Sequence, residues 1–197
     1  MSELDAQTVI LKNVRLGYCD LWEPKSLVKD SAPKFSAHFL IDESTKEGKA
    51  NRKALDAAWA YVVQETWKGK EPRLKEDRKA VLDGDDCVSQ STGEVYKGYS
   101  GMTVVKAASP EKKRPDVRNR KKEPVREGDA GAPYAGCMVD AVVRLYAITD
   151  ADKGGNGIFG SIGLIRFRGD GEPLGGGGID VDKALDLLDD FDDEDDI

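Results

Sequence analysis

Histidine is almost missing from this chain: of 197 residues only one, His38, is a histidine, and cysteine occurs three times, at 19, 87 and 137. Zinc sites usually draw four ligands from these two residue types at close spacing. The chain has no such cluster and no Cys-x-x-Cys pair, which argues against a structural zinc. A Ser-His-Asp or Cys-His mechanism would have to use His38. That residue lies in Lys34-Phe35-Ser36-Ala37-His38-Phe39 and is expected on a solvated strand face. Three widely spaced thiols, an odd number, are expected to stay free in a reducing compartment. No apolar run approaches the roughly 20 residues that cross a bilayer. The segment Met-Ser-Glu-Leu-Asp is acidic and polar, unlike a secretory signal. There is no G-x-x-x-x-G-K-[ST] string, which excludes a P-loop NTPase. Gly155-Asn156-Gly157-Ile158-Phe159-Gly160 matches G-x-G-x-x-G in form. The residues after it are strand formers, whereas a dinucleotide fingerprint must open a helix there. No cofactor and no metal are expected.

Acidic charge, by contrast, is concentrated at one end. From Asp180 to Ile197 there are ten acidic residues and one lysine, a formal −9 in a chain of −7, so residues 1–179 sum to +2. Gly175-Gly176-Gly177-Gly178 joins the two parts, a run that needs outside packing to hold one conformation. This asymmetry points to a nucleic-acid-binding body with a tail that contacts the body, other proteins, or both. Two units are expected: a domain over 1–174, and a glycine hinge with a disordered acidic tail over 175–197.

Within the body, Thr8 to Tyr18 reads as a long, bent strand, with Gly17 marking a bulge or a close approach. A loop is expected through Trp22-Glu23-Pro24-Lys25 to Pro33. Phe35, Ala37, Phe39 and Ile41 alternate as one face of the next strand. Residues 47–68 carry the only long helical stripe, Leu55, Trp59, Val62, Val63 and Thr66, with Ser44 or Thr45 as cap and Gly69 as stop. Tyr96 to Lys106 reads as a strand. Glu111 to Arg126 holds eight basic and three acidic residues with prolines at 115 and 124, and is expected as an exposed arm or long loop. Cys137 to Ile148 and Ile158 to Arg168 are the clearest strands, joined through Asn156-Gly157. The pattern is mainly β (α+β): strands with one inserted helix and long loops.

Cations and flat rings recur along these strands. Single-stranded nucleic acid is gripped by that pairing, since cations track phosphates and rings stack on bases irrespective of sequence. The candidate contacts near the N-terminus are Arg15, Tyr18, Trp22, Lys25 and Lys34. In the centre they are Tyr96, Lys97, Tyr99 and Lys106. The basic segment adds Lys112, Lys113, Arg114, Arg118, Arg120, Lys121 and Lys122, and the last hairpin adds Arg144, Tyr146, Phe159, Arg166 and Phe167. Two other classes compete with this reading. A metal-dependent nuclease would use the E-x-K strings Glu23-Pro24-Lys25 and Glu111-Lys112-Lys113 with Pro115-Asp116. However, the Pro-Asp pair follows both strings instead of preceding them. A DNA-mimic or protein-interaction module would use the acidic end to sequester a basic partner.

Several strings carry a resemblance: Asn13-Val14-Arg15-Leu16-Gly17-Tyr18, Trp22-Glu23-Pro24-Lys25, Tyr134-Ala135-Gly136-Cys137, the loop at 156–157, Gly171-Glu172-Pro173-Leu174-Gly175-Gly176, and the acidic end. In order and over nearly the whole chain, they resemble bacteriophage single-stranded-DNA-binding proteins. The resemblance implies an OB-fold, a five-stranded Greek-key barrel that binds oligonucleotides across one face. It also implies no catalysis, a place in the host cytoplasm, and roles in replication, recombination and repair. Replication and recombination proteins would meet the tail at Leu187, Leu188, Asp189, Asp190, Phe191, Asp192, Asp193, Glu194, Asp195, Asp196 and Ile197. The family's tails often end in an aromatic residue, whereas this chain ends in Ile197 with Phe191 six residues upstream. Whether the chain forms a homo-oligomer is left open by the resemblance.

Overall fold

The computed structural model describes residues 4–26 and 29–175. Seven strands form in chain order: β1 (Thr8–Lys25), β2 (Lys34–Ile41), β3 (Val81–Asp83), β4 (Thr103–Pro110), β5 (Asp116–Arg118), β6 (Met138–Ile148) and β7 (Gly157–Gly169). One long helix, α1 (Lys46–Trp67), lies between β2 and β3. β1 pairs with β2 on one edge and β6 on the other; β2 pairs with β4, β6 with β7, and β7 returns to β4 in parallel. Five strands thus close into the expected OB barrel, and β3 and β5 are short additions to it.

The core follows from alternation interrupted by register shifts in β1. Val9 and Leu11 point inward, and so do Val14 and Leu16, because the register shifts between Leu11 and Val14. Asn13 takes up the extra residue at φ +50, a left-handed conformation that asparagine tolerates better than most residues. A second shift lies between Leu16 and Cys19, around Gly17. A Cβ on Gly17 would meet the Tyr99 hydroxyl at 2.6 Å, so the expected close approach is real. These bulges bend the strand without ending it, and β1 runs on through Lys25, where a loop was expected. Facing residues of β2, β4, β6 and β7 complete the interior, including Phe39, Val105, Val143, Ile158 and Ile165.

Helix α1 packs against the barrel through Leu55, Ala58, Val62 and Val63. Ala58 takes the buried position in place of Trp59, which is only partly covered. Thr45 caps the start by accepting from the Gly48 amide at 2.9 Å. Lys68 at φ +55 and Gly69 at φ +79 end it, the Gly69 amide donating to the Val63 carbonyl as in a Schellman turn. The buried Asn51 side chain accepts from the Lys12 amide at 2.9 Å and donates to the Lys12 carbonyl at 2.8 Å, docking the helix on β1.

Two other expectations are corrected. The strand expected over 96–106 starts only at Thr103, because Gly98 and Gly101, at φ +82 and +72, turn the chain before it. The basic segment over 111–126 is also not a free arm. Asp116–Arg118 adds to the edge of β7 in parallel, and Val117 is buried there. The prolines at 115 and 124 flank that short strand and so do not block its ladder.

Candidate nucleic-acid interface

The outer face of β1, β2 and β4 collects rings and cations. His38 and Lys106 are register partners on β2 and β4. Tyr18 of β1 stands beside His38, ring centroids 5.8 Å apart. Tyr18 is 44% exposed and Tyr96 46%, so each presents part of a ring to solvent. Lys34 is exposed at one end of β2, and Lys25, paired with it across the ladder, stands beside it. Asp20 is the buried anion of this face. It accepts from the Tyr18 hydroxyl and forms an ion pair with Lys25, which fixes both groups in place. Burial, followed by the Asp20 carboxylate, pushes the Tyr18 phenol up to about 12, so it stays a neutral donor.

Beneath the exposed rings sits an organising tyrosine. Tyr99 is only 3% exposed. Its hydroxyl accepts from the Tyr18 amide at 2.8 Å and lies 2.9 Å from His38 Nδ1. Burial lowers the His38 pKa to about 4, with the Lys106 charge as a second cause, so the ring is neutral and Nδ1 shares a hydrogen bond with the tyrosine hydroxyl. His38 is therefore packed under two rings and does not lie on a solvated strand face as expected. Leu40, Val104 and Cys87 pack with Tyr99 in a small cluster outside the barrel, joined by Leu82, Met102 and Leu174. That cluster covers one end of the β2–β4 face and leaves the His38–Lys106 end as the part beside the exposed rings.

The row continues round the barrel across the β4–β7 seam. Lys106 donates its amide to Ala80, and Ala80 donates to Ile158, so the segment before β3 fills the gap between the two strands. Phe159 follows on β7 with the Arg78 guanidinium 4.8 Å from its ring centre, and Tyr146 pairs with Phe159 across β6–β7 at 6.0 Å. Tyr18, His38, Lys106, Phe159 and Tyr146 thus form one transverse belt.

Other expected contacts lie elsewhere. Arg15 donates to the Gly136 and Glu172 carbonyls, and Lys97 pairs with the Glu172 carboxylate at 2.6 Å. Together with Leu174 against Gly98, they strap residues 171–175 to the barrel beside Tyr96. A Cβ on Gly136 would lie 2.1 Å from the Glu172 carbonyl, which requires glycine under this strap. Phe167 packs on the core, as does Trp22, with Arg114 stacked 5.8 Å from its ring centre. Arg144 pairs with Asp5, and Arg166 with Asp140. Arg118 and Lys122 line a groove with Arg166 on the outer face of β1, β6 and β7, away from the Tyr146–Phe159 end. Lys112, Lys113, Arg120 and Lys121 are exposed along the basic segment. The tail contacts from Leu187 to Ile197 lie outside the described residues. Sequence reasoning missed His38, Arg78 and Asp20, whose roles depend on neighbours far away in the chain.

The arrangement suits binding better than catalysis. Among the described residues no cluster of His, Cys, Asp or Glu could hold a metal ion, and no helix is long and apolar enough to cross a membrane. Asp116, one of the carboxylates a nuclease would have used, is engaged with Arg118.

Comparison with known proteins gives the same architecture. Residues 7–197 match the family model described as the single-stranded-DNA-binding protein of Enterobacter phage Enc34. Protein p50 of Acyrthosiphon pisum secondary endosymbiont phage 1 is 30% identical over 180 residues, covering 90% of this chain and 92% of that protein. The solved structure of the bacteriophage Enc34 single-stranded-DNA-binding protein in complex with ssDNA superposes with a TM-score of 0.69 at 26% identity, covering 86% of this chain and 90% of that one. A second solved structure of the bacteriophage Enc34 protein superposes with a TM-score of 0.68 at 25% identity, over 91% of this chain and 90% of that one. The family model and both solved structures are of single-stranded-DNA-binding proteins. The chain belongs to the phage single-stranded-DNA-binding protein family represented by that of Enterobacter phage Enc34.

Proposed function

We propose that this protein coats single-stranded DNA without sequence preference, shielding it from nucleases and from re-annealing during phage replication, recombination and repair in the host cytoplasm. The observation that carries the reading is the ring-and-cation belt on the barrel, above all the half-exposed Tyr18 held between His38 and Asp20 beside Lys25 and Lys106. Rings placed this way can stack on any base, and the lysines can meet phosphates, so little base information is read. The bond from Tyr18 to Asp20 and its packing on His38 fix the ring in place, which lowers the ordering cost of binding. The acidic residues 180–197 act as a competitor for the cationic face and as a recruiter of replication and recombination proteins. The strap supports this role by holding Glu172 on Lys97 and Leu174 against Gly98, just before the glycine run that leads to the tail.

Titration of labelled single- and double-stranded oligonucleotides at two salt concentrations tests the reading. Single strands should bind more tightly, with log affinity falling by about 0.7 per log unit of salt for each phosphate neutralised. Equal affinity for duplex, or no dependence on salt, would count against it.

A further inference from the structure

Beside β1, on the outer face of β6 and β7 away from their Tyr146–Phe159 end, the barrel carries a second cationic surface, built differently. Ile10, Val142 and Leu164 are successive register partners across β1, β6 and β7, and they form an apolar floor. Ile10 is 44% exposed, although it sits mid-strand. Five cations stand around this floor: Lys12, Arg118, Lys122, Arg166 and Arg168. The one acid in the lining, Asp140, pairs with Arg166 and lies 3.6 Å from Arg168. The groove so formed has a volume of about 670 Å³. The hairpin that closes it is the edge strand β5 with its return at Lys122, pinned by Arg118 donating to the Lys122 carbonyl at 2.9 Å.

Among the described residues, no aromatic side chain lines this groove. A single strand would find cations there but no ring on which to stack a base. An aliphatic floor inside a cationic rim fits a peptide that alternates apolar and acidic residues. This chain contains such a peptide: Leu187-Leu188-Asp189-Asp190-Phe191-Asp192-Asp193. The groove is also within its reach. The last described residue, Gly175, follows a strap held by Arg15, and Arg15 pairs with Met138, two residues from Asp140. The groove therefore begins about 20 Å from the root of the tail. The twelve residues from Gly175 to Leu187 can span at most about 40 Å.

We infer that the apolar-acidic segment around Leu187–Phe191 docks in this groove of its own chain, with Leu187, Leu188 and Phe191 on the aliphatic floor and the flanking carboxylates on the rim. The tether keeps the segment at a local concentration that a free peptide would reach only near the millimolar range. Docking here divides the tail between this groove and the ring-lined face, so it moderates the competition with DNA without removing it. The inference deepens the role given to the tail above, and its test does not depend on whether DNA binds.

Zero-length carbodiimide cross-linking of the full chain, read by mass spectrometry, tests it, because the reagent joins carboxylates to lysine amines in direct contact. The expected products link Asp189, Asp190, Asp192 or Asp193 to Lys12 and Lys122. In an equal mixture of natural-abundance and ¹⁵N-labelled protein they should occur within one chain, and they should persist when an oligo-dT is added. Replacing Leu187, Leu188 and Phe191 by serine leaves every charge in place and should abolish these links. The inference is overturned if the links form only at Lys25, Lys34, Lys97 or Lys106, or only between chains. It is equally overturned if oligo-dT removes them, which would make the groove a nucleic-acid surface, or if the serine variant cross-links as well as the native chain.

Discussion

Replacing Tyr18 by alanine isolates the part of the ring-lined face that is free to meet a ligand. The ring is 44% exposed, and it is held before binding by the bond from its hydroxyl to Asp20 and by the neighbouring His38 ring. A base stacked on such a ring contributes about 1–3 kcal/mol. Because Tyr18 loses little freedom on binding, a value of about 2 kcal/mol is expected, which is about a 30-fold rise in Kd. Stability should change little. The buried Asp20 carboxylate keeps its Lys25 partner when the phenol is gone, so no charge is orphaned. Tyr18→Phe retains the ring and should bind within a few-fold of the native chain. Fluorescence anisotropy of a labelled oligo-dT gives Kd for the three proteins, and circular dichroism confirms that each is folded. A folded Tyr18→Ala protein with native affinity would refute the stacking role and move the DNA path off this face.

Four further outcomes follow from the same geometry. Tyr99→Phe keeps the packing but leaves the Tyr18 amide and His38 Nδ1 without their shared partner. It should cost about 1–3 kcal/mol in urea unfolding. The neutral His38, with a folded pKa of about 4 against an ordinary 6.5, binds its proton more readily in the unfolded chain. Its contribution is complete above about pH 6.5 and is lost as pH falls towards 4, at up to about 1.4 kcal/mol per unit, and His38→Gln should flatten that slope in parallel urea titrations. Gly136→Ala puts a methyl group against the Glu172 carbonyl and should loosen the strap, read as faster amide exchange at Leu174. Truncation after Gly178 removes the −9 of the acidic end and should tighten oligo-dT binding at low salt, with the gain shrinking as salt is raised; equal affinities would mark the tail as inert towards the DNA face.

The barrel was legible where alternation is clean. The interior faces of β2 and β6 can be read directly from Phe35–Ile41 and Val139–Ala147, and the helix from its stripe and Thr45, whereas in β7 a bulge at Gly163 moves the inward set from Ile158 and Ile162 to Ile165. The far half of β1 was not legible, because bulges at Asn13 and Gly17 reset the period of two on which the reading depends. β5 was hidden for a different reason. Three residues in a run of charge carry almost no local strand signal, and the pairing that orders them comes from β7, about fifty residues later in the chain. The site was legible as a composition of rings and cations but not as a geometry. Nothing local separates Tyr18, which is half exposed, from Tyr99, which is buried beneath it, or Lys25 on the face from Lys97 in the strap.

The seam between β4 and β7 has a consequence for ligand length. Lys106 donates its amide to Ala80 and Ala80 donates to Ile158, so residues 78–80 bridge the seam on its outer side. Gly160 lies close beneath, where a Cβ would sit 2.7 Å from the Lys106 carbonyl. The bridge from Ala108 to Ser161 lies further along. On the proposed reading, a single strand crossing from the β2–β4 rings to Tyr146 and Phe159 would pass over residues 78–80, with Arg78 on the Phe159 ring at the crossing. Lengthening or thickening that segment should then change the occluded site size while leaving Tyr18, Lys106, Tyr146 and Phe159 unaltered.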